Sequence, residues 1–542
     1  MARELKFFAA LILAMAFSGA GTANADVLQE REVEPIVLTG SLPGLVGVPP
    51  DEVVAFAWFE GWGQIKDGWE PVTLQVDERK RSESGRLVYA DPNAGSGADG
   101  NSMLDLDDEI SMMAIEAGLP AGDRPDPKYV EPATRTAVRV SDPLKQGDQA
   151  WIYLFRSLDG LAPDGGNDLV TYERDFDPLL DYSFPEASTV VTGRYDIGIR
   201  GRWMTNRLSI AAGEVPDQDI LDGDKLNVGP GVCETSELAL SRGEGYFLAD
   251  IDGPVRAIRS VTGSRQGISF SRESVFYEGL LETRTTLDGL PAGSNVISAL
   301  DLSRQATGMT WRNEKNPEGV TVDGKPDQVA GAAARWEQVS GNPGSVTSVT
   351  RVATEGVSKS TFYEDRAEPP GDSPMNCSGD GASLGAAGAR FKSRDGGELE
   401  FSKRSWFDSP DVGAETGKLR SLQVDQPLGA TIDATEPAIL VARARPSRVV
   451  LRPGQRRSIR VVVRNHGAKR ARRLKICAGT GRWASARCRF VARLNRGGKL
   501  VRRITIRSSR KAGKGSRILP IRVAASRARS YGDRVKVSVR SG

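Results

Sequence analysis

Four acidic residues within a five-residue run have the chemistry to bind a metal ion. They are Asp105, Asp107, Asp108 and Glu109. Calcium takes hard oxygen ligands, and carboxylates on a tight loop supply several of them. The spacing differs from that of the helix–loop–helix calcium loop, and turn-forming aspartates at a strand entrance explain the run as well. The sequence therefore predicts no cofactor, with structural calcium at this run as the alternative.

Two tryptophans near the N-terminus form a second group of interest. Trp62 and Trp69 lie close to Trp58 in a stretch that contains several glycines. If these indoles are exposed, they offer flat surfaces for carbohydrate. The alternative is that they pack into an apolar core, as large aromatic side chains commonly do.

The single histidine, His466, restricts catalysis, since it lies in a polar turn of the strongly basic C-terminal region. Ser-His-Asp triads, Cys-His pairs and HExxH zinc sites all need histidine beside the reacting group. The chemistry that remains uses carboxylates, tyrosine, arginine or lysine, and glycoside hydrolysis by paired carboxylates is the clearest example. We assign no catalytic residue from the sequence.

Charge is divided unevenly along the chain. Residues 441–542 contain 32 lysines and arginines and one acid, Asp533, whereas the rest of the chain contains 41 basic and 69 acidic residues. Arginine accounts for 26 of the 32, and its guanidinium binds phosphate and carboxylate groups through two parallel hydrogen bonds. The residues that we expect to contact a polyanion are Arg460, Arg464, Arg502 and Arg507.

Several interpretations of this basic region stay open. Nucleic acid is disfavoured as the partner because the region has only Trp483, Phe490 and Tyr531 for base stacking. An anionic polymer of the cell envelope and the acidic part of the same chain are both alternatives. The arginines also fit solvated strand faces that codon usage has filled with arginine.

The N-terminus has the features of a secretory signal. Arg3 and Lys6 precede an apolar run at residues 7–17, and Ala23 and Ala25 form a small-x-small cleavage site. The apolar run is too short for the roughly 20 residues of a transmembrane helix. The sequence thus predicts a secreted or cell-surface protein whose mature chain has no transmembrane segment.

Export places the four cysteines where disulfides persist. Two of them lie in the basic region and two lie in the acidic part of the chain. Pairing within each part is the simplest of the three connectivities, so we predict the disulfides Cys233–Cys377 and Cys477–Cys488.

The fold class follows from hydrophobic periodicity. Short alternating runs bounded by Gly, Asp, Asn and Pro recur along the chain, and long helical stripes are missing from the sequence pattern after the signal. This pattern predicts an all-β, multi-domain protein built from β-sandwich units. The predicted parts are a signal peptide at 1–25, an N-terminal β domain at 26–178, a large β-sandwich at 179–437 and a basic immunoglobulin-like sandwich at 441–542.

Two parts of the chain resemble known groups of proteins. Gly-Leu-Val-Gly at 44–47, Gln-Val-Asp-Glu-Arg at 75–79 and Asn-Cys-Ser-Gly-Asp at 376–380 resemble segments of a family of uncharacterised secreted bacterial β-rich proteins. That resemblance covers most of residues 36–410 and implies no activity. Pro446 and the Val-Val-Val-Arg-Asn run at 461–465 resemble the start of the cell-adhesion-related type of immunoglobulin-like module. The second resemblance implies a surface spacer or adhesion unit.

Taken together, these features predict a secreted, envelope-associated, non-catalytic protein whose basic region contacts an anionic surface polymer or carbohydrate. A carboxylate-based, glycosidase-like enzyme with an immunoglobulin-like accessory domain is the first alternative. A purely structural surface protein is the second.

Overall fold

The computed structural model describes most of the chain outside the N-terminal segment. The described residues are 28–40, 42, 44–60, 68–82, 85–122, 124–131, 134–158, 166–174, 187–229, 235–378, 382–410, 412–432, 438–465, 469–479, 484–486, 488–495, 497–526, 528–531 and 533–540. The predicted signal peptide at 1–25 lies outside them, and so do Trp62, Cys233, His466 and Trp483.

The first unit is built from short strands. They are β1 Pro35–Thr39, β2 Val53–Phe59, β3 Gly68–Val72, β4 Gln75–Asp77, β5 Arg79–Arg81, β6 Leu87–Tyr89, β7 Glu109–Met113, β8 Thr136–Ser141 and β9 Gln149–Arg156, with 3-10 helices at Gln29–Arg31, Pro50–Glu52 and Ala114–Glu116. β1, β7 and β4 form one sheet, β8, β9, β2 and β3 belong to a second, and β5 and β6 form a hairpin. The first two sheets share one apolar core.

The second unit contains longer antiparallel strands. They are β10 Val170–Arg174, β11 Ser188–Thr192, β12 Tyr195–Arg200, β13 Met204–Ile210, β14 Leu221–Gly229, β15 Thr235–Ser236, β16 Glu244–Ile251, β17 Ala257–Arg265, β18 Ile268–Phe276, β19 Leu280–Leu290, β20 Asn295–Leu302, β21 Thr310–Asn313, β22 Asn316–Thr321, β23 Trp336–Gly341, β24 Gly344–Val352, β25 Val357–Arg366, β26 Ser383–Ser393 and β27 Gly397–Asp408. Two α-helices, α1 Glu237–Arg242 and α2 Ala414–Asp425, and 3-10 helices at Arg304–Ala306 and Pro374–Ser378 complete it.

Two large sheets dominate the second unit. Its nine-stranded sheet has the order β16-β17-β18-β19-β27-β24-β23-β21-β22, and a five-stranded sheet has the order β15-β14-β20-β26-β25. Phe270 and Leu287 of the larger sheet pack with Phe391 of the smaller one in a buried cluster. Apolar residues at alternate positions thus place one face of each sheet in a sandwich core.

The C-terminal unit follows one further short strand. The strands are β28 Gly429–Ile432, β29 Ala438–Arg445, β30 Arg448–Leu451, β31 Arg456–Asn465, β32 Ala471–Ala478, β33 Ala484–Ala486, β34 Arg489–Leu494, β35 Lys499–Ser508, β36 Gly515–Ser526, β37 Ala528–Tyr531 and β38 Asp533–Val539. From β29 on they form two five-stranded sheets, β33-β35-β31-β29-β37 and β30-β38-β36-β32-β34. Buried residues of both sheets form one core that contains no residue of the other units.

The all-β prediction is confirmed, and the sheets refine the position of the unit boundaries. β10 pairs with β11, so the four-stranded sheet β10-β11-β12-β13 extends to both sides of the boundary predicted at residue 178. β28 pairs with β8 of the first unit, although it lies next to the C-terminal unit in sequence. The first unit is therefore built from two separate stretches of the chain.

A buried arginine joins the first unit to the nine-stranded sheet. Arg256 donates to Asp77 at 2.7 and 2.9 Å, to Glu109 at 2.8 Å and to the Tyr277 hydroxyl at 3.0 Å. Its side chain is 2% exposed. The Gln75 side-chain oxygen accepts hydrogen bonds from the backbone N–H groups of Val255 and Arg256, which fixes this junction further. If the guanidinium is removed, Asp77 loses this ion pair and Glu109 retains the one with Arg79.

No helix in the described part of the chain is long and apolar enough to cross a membrane.

Candidate functional site

The outer surface of the sheet β33-β35-β31-β29-β37 carries a dense set of cations. We call these residues the arginine face. They are Arg443, Arg445, Arg456, Arg460, Arg464, Lys499, Arg503 and Arg507, and all are exposed. Ile459, Val461 and Val463 alternate with them on β31 and are fully buried, so alternation along the strand sends the cations to solvent.

Strand register brings these cations together in rows. Arg460 of β31 lies opposite Arg445 of β29 on one side and opposite Arg503 of β35 on the other. Further along β31, Arg456 pairs with Arg507 and Arg464 pairs with Lys499. Directly opposed side chains have Cβ atoms about 5 Å apart, and like charges at that spacing destabilise a sheet by roughly 0.2–1 kcal/mol per pair.

Few acidic groups compensate the arginine face. Arg443, at its edge, forms an ion pair of 2.8 Å with Glu131 of the first unit. Both side chains are partly exposed, so this contact contributes little free energy. No other member of the face forms an ion pair with a described residue. A groove of about 560 Å³ separates part of the face from the first unit, which leaves the cations open to a ligand.

The polyanion residues predicted from sequence are largely brought together. Arg460, Arg464 and Arg507 belong to the arginine face. Grouping Arg502 with them needs correction, because Arg502 pairs with Val461, whose side chain is in the core, and so lies on the other side of the sheet. Arg503 takes its place. The alternation of buried Ile504 and Ile506 is the sequence signal that identifies Arg503 as the outward residue.

The four predicted calcium ligands do not form a single set. Glu109 accepts hydrogen bonds from Arg79, Tyr89 and Arg256. Burial alone would raise the pKa of Glu109. The charge of Arg256 outweighs burial and holds that pKa below its ordinary value. Asp108 is fully buried and accepts from the backbone of Arg79 and of Asp105.

Asp105 and Asp107 are bonded to each other within the loop, Asp105 through its carboxylate and Asp107 through its backbone. Asp105 accepts from the Asn101 amide and from the backbone of Asp107. Among the described residues, no group of three or more His, Cys, Asp or Glu side chains is arranged to hold a metal ion. Glu109 is bonded to Arg79, Tyr89 and Arg256 and not to the other three predicted ligands.

A carboxyl that the sequence did not single out faces the same loop. Both carboxylate oxygens of Glu78 are buried without a hydrogen-bond partner. Burial, together with the charges of Asp108, Asp99 and Asp105, raises the pKa of Glu78 to about 7. The folded protein therefore binds a proton here more tightly than the unfolded chain does, and stability falls as pH rises from about 4.5 to about 7.

Replacing Glu78 with glutamine should remove this pH dependence. We expect Glu78→Gln to raise the free energy of unfolding by about 1 kcal/mol at pH 8, where an unpaired buried charge is otherwise held, and to change it little at pH 4. Urea titrations at both pH values, with a chelator present, measure the difference. The exposed Glu70 supplies the control Glu70→Gln, and an equal effect from it would contradict the assignment.

Trp69 occupies a packed aromatic cluster. Its ring centroid lies 5.4 Å from that of Trp58 and 5.1 Å from that of Tyr153. The Arg135 guanidinium lies 5.3 Å from the ring, and the indole N–H donates to the Pro125 carbonyl at 2.7 Å. These contacts favour the core interpretation over carbohydrate binding for Trp69. Trp62 is not among the described residues.

The disulfide predictions have one direct confirmation. Cys477 and Cys488 are bonded, with 11 residues of sequence separation, and the bond ties β32 of one C-terminal sheet to the segment that follows β33 of the other. Cys377 is disulfide-bonded. Cys233, its predicted partner, lies outside the described residues.

A second concave surface lies on the nine-stranded sheet. We call it the cleft. It has a volume of about 1050 Å³, its floor is formed by β16 to β19 and β27, and the β5–β6 hairpin contributes to its wall. Tyr246, Ser271 and Glu273 belong to the floor, and Arg79 and Tyr89 belong to the wall.

Comparisons with known proteins give no family. No protein-family model matches the chain, and neither does any curated protein sequence. A solved polysaccharide lyase is 8% identical with a TM-score of 0.24, and the match covers 65% of this chain and 47% of that one. Escherichia coli alpha-2-macroglobulin activated by porcine elastase is 11% identical with a TM-score of 0.15, and the match covers 94% of this chain and 52% of that one.

A protein of unknown function from Porphyromonas gingivalis W83 is 13% identical with a TM-score of 0.14, and the match covers 38% of this chain and 90% of that one. The chain thus spans about half the length of the lyase and macroglobulin chains. Likenesses at these TM-scores carry no argument about function.

Proposed function

We propose that the protein is an exported binding protein whose C-terminal sandwich attaches it to an anionic polymer of the cell envelope. The observation that carries this proposal is the row Arg445–Arg460–Arg503, which crosses three adjacent strands without an intervening acid. A bound polyanion replaces the repulsion within the row by attraction. Guanidinium groups suit phosphate and carboxylate ligands alike.

Export and an immunoglobulin-like arrangement belong to the same proposal. The Cys477–Cys488 disulfide supports an oxidising compartment. The separate core of the C-terminal sandwich supports an independent attachment unit. Nucleic acid is a poorer ligand for the arginine face, since the residues between the arginines on the neighbouring strands are Ser458, Val462, Val501 and Thr505, which offer no ring for base stacking.

The proposal is tested by sedimentation of the full-length protein with purified cell wall across a salt series. We expect binding to weaken steeply with salt, because each neutralised anionic site releases a counterion. The triple variant Arg445→Gln, Arg460→Gln, Arg503→Gln should lower the slope of log K against log salt by about 2 to 3. The affinity of this variant for the cell wall should also fall, because it has lost three of the cations that bind the polymer.

The control removes the same charge from the opposite sheet of the same sandwich. Its substitutions are Arg448→Gln, Arg517→Gln and Arg522→Gln, all at exposed positions. Equal losses in the two triple variants would show that net charge, and not the arginine face, binds the wall. Salt-independent binding would contradict the proposal, and so would stronger binding to single-stranded DNA than to wall polymer.

A further inference from the structure

The cleft has the chemistry of a ligand site that differs from the arginine face. Its floor is one face of the nine-stranded sheet, and Phe270 and Leu287 on the opposite face belong to the sandwich core. On the cleft side, Thr262 lies opposite Ser271, and Ser271 lies opposite Thr286. Three adjacent strands therefore present a row of hydroxyl groups.

The charged groups of the cleft compensate one another. Among the described residues, six arginines and five glutamates line it. Arg79 and Arg256 both bind Glu109, Arg404 binds Glu282, and the Arg284 and Glu400 side chains approach to 3.8 Å. A surface with this balance attracts a polyanion far less than the arginine face does. It still offers many hydrogen-bond donors and acceptors.

Glu273 lies near the centre of the floor and has no hydrogen bond or ion pair to a described residue. It stands between Ser260 and Arg284 on the neighbouring strands. Burial, opposed by the charge of Arg284, raises the pKa of Glu273. A carboxyl perturbed in this way within a cleft is a common property of ligand sites.

The geometry of the floor disfavours a peptide as the occupant. Peptides that extend a sheet bind to the backbone of an edge strand. β17, β18, β19 and β27 are each paired on both sides. β16 is the edge strand, and its Phe247 and Leu248 carbonyls already accept from the backbone of Gly95 and Ser96. The floor offers side-chain hydroxyl, carboxyl and guanidinium groups, and Tyr246 adds a half-exposed ring at one side.

We propose that the cleft binds a neutral oligosaccharide through the hydroxyl row of Thr262, Ser271 and Thr286 together with Glu273. Sugar hydroxyls both donate and accept hydrogen bonds, which matches a lining of paired charges and hydroxyl groups. The volume of about 1050 Å³ lies just above the range of about 300–1000 Å³ for small-molecule sites, which fits several sugar units. This site is independent of the polyanion site proposed above.

The experiment is calorimetric titration of the full-length protein with hexasaccharides. The neutral probes are cellohexaose, maltohexaose, mannohexaose, xylohexaose and chitohexaose, and hexagalacturonate is the charged comparator. We expect one-to-one binding of at least one neutral probe. The proposal is overturned if no neutral probe binds, or if hexagalacturonate alone binds.

Two matched substitutions locate the binding. Ser271→Tyr fills the floor and should weaken binding by about tenfold or more, whereas Ser269→Tyr, at an exposed position of the same strand outside the cleft, should leave it unchanged. Thr286→Tyr is the second floor variant if Ser271→Tyr does not fold. Glu273→Gln should weaken binding by about tenfold. Equal affinity of the floor variants and Ser269→Tyr would overturn the proposal.

The arginine-face triple variant serves as the cross-check. Because its substitutions lie in the C-terminal unit, oligosaccharide affinity should be unchanged while wall binding falls. Parallel loss of both activities would contradict two separate sites.

Discussion

Substitution of Arg256 by methionine is expected to lower the free energy of unfolding by about 3–5 kcal/mol, since it leaves the buried Asp77 without its counter-charge and leaves Glu109 with Arg79 alone. The guanidinium is bound by both carboxylates and by the Tyr277 hydroxyl. Methionine retains much of the side-chain volume, so the effect reports the charge and its hydrogen bonds and not a large cavity. Denaturant titration at pH 7 measures the loss.

The pH dependence of the variant should differ from that of the wild type. In the wild type, the depressed pKa of Glu109 contributes stability above the carboxyl's unfolded pKa, and this stability is lost as pH falls through the folded pKa. Without Arg256 that contribution is smaller, because Arg79 is then the cation that remains paired with Glu109, so the two proteins should differ most near neutral pH and least in acid.

Arg265→Met is the control, because Arg265 is exposed at the far end of β17. It should change stability by less than about 0.5 kcal/mol. A loss below about 1 kcal/mol for Arg256→Met would show that the junction between the first unit and the nine-stranded sheet does not depend on this guanidinium.

Removing the Cys477–Cys488 disulfide by a double substitution to serine should destabilise the C-terminal sandwich by about 3 kcal/mol. The sequence separation is 11, and closing a loop of that length restricts the unfolded chain by roughly this amount on the chain-entropy model. Because the bond ties β32 to the segment after β33, the loss should concentrate in the sandwich that carries the arginine face.

Hydrogen exchange of the C-terminal strands, compared with that of the nine-stranded sheet, measures the location of this effect. Treatment of both proteins with a reductant allows the reduced wild type to be compared with the double variant. It should destabilise the wild-type sandwich to the level of the double variant and should not destabilise the sandwich of that variant further. Unchanged exchange protection in β31 and β35 of the double variant would contradict the prediction.

Local periodicity was sufficient to predict the fold class. In β31, buried Ile459, Val461 and Val463 alternate with exposed arginines, and this period-two pattern distinguishes a strand from a helix without any tertiary information. The Cys477–Cys488 disulfide can also be predicted from the sequence, because its two cysteines are close in sequence. Features that depend on residues close in sequence can therefore be predicted from the sequence.

Features that depend on residues distant in the sequence cannot be predicted from local patterns. Arg256 meets Asp77 across 179 residues of sequence and Glu109 across 147, and no local pattern connects them. From its sequence neighbours alone, Glu109 therefore resembles a calcium ligand. The sequence does not predict the cleft for the same reason, since Ser271, Thr286 and Glu273 become one surface only through the pairing of long strands.

The choice between Arg502 and Arg503 is an intermediate case. Adjacent residues of a strand point to opposite faces, so an error of one position exchanges the two sides of the sheet. Buried Ile504 and Ile506 show which alternate positions of β35 face the core, and this alternation can be seen in the sequence. The sequence does not show which strands lie beside β35, and therefore it does not show which cations form rows.

The pairing of β28 with β8 bears on the order in which the protein is built. Strand β8 is complete by residue 141, yet its outer neighbour is residues 429–432. During synthesis, the edge of β8 therefore has no partner until residues 429–432 have been made, nearly three hundred residues later. Exposed edges are templates for association with other chains. The first unit therefore completes this sheet only after the chain of the second unit has been made, and until then the edge of β8 is open to other chains.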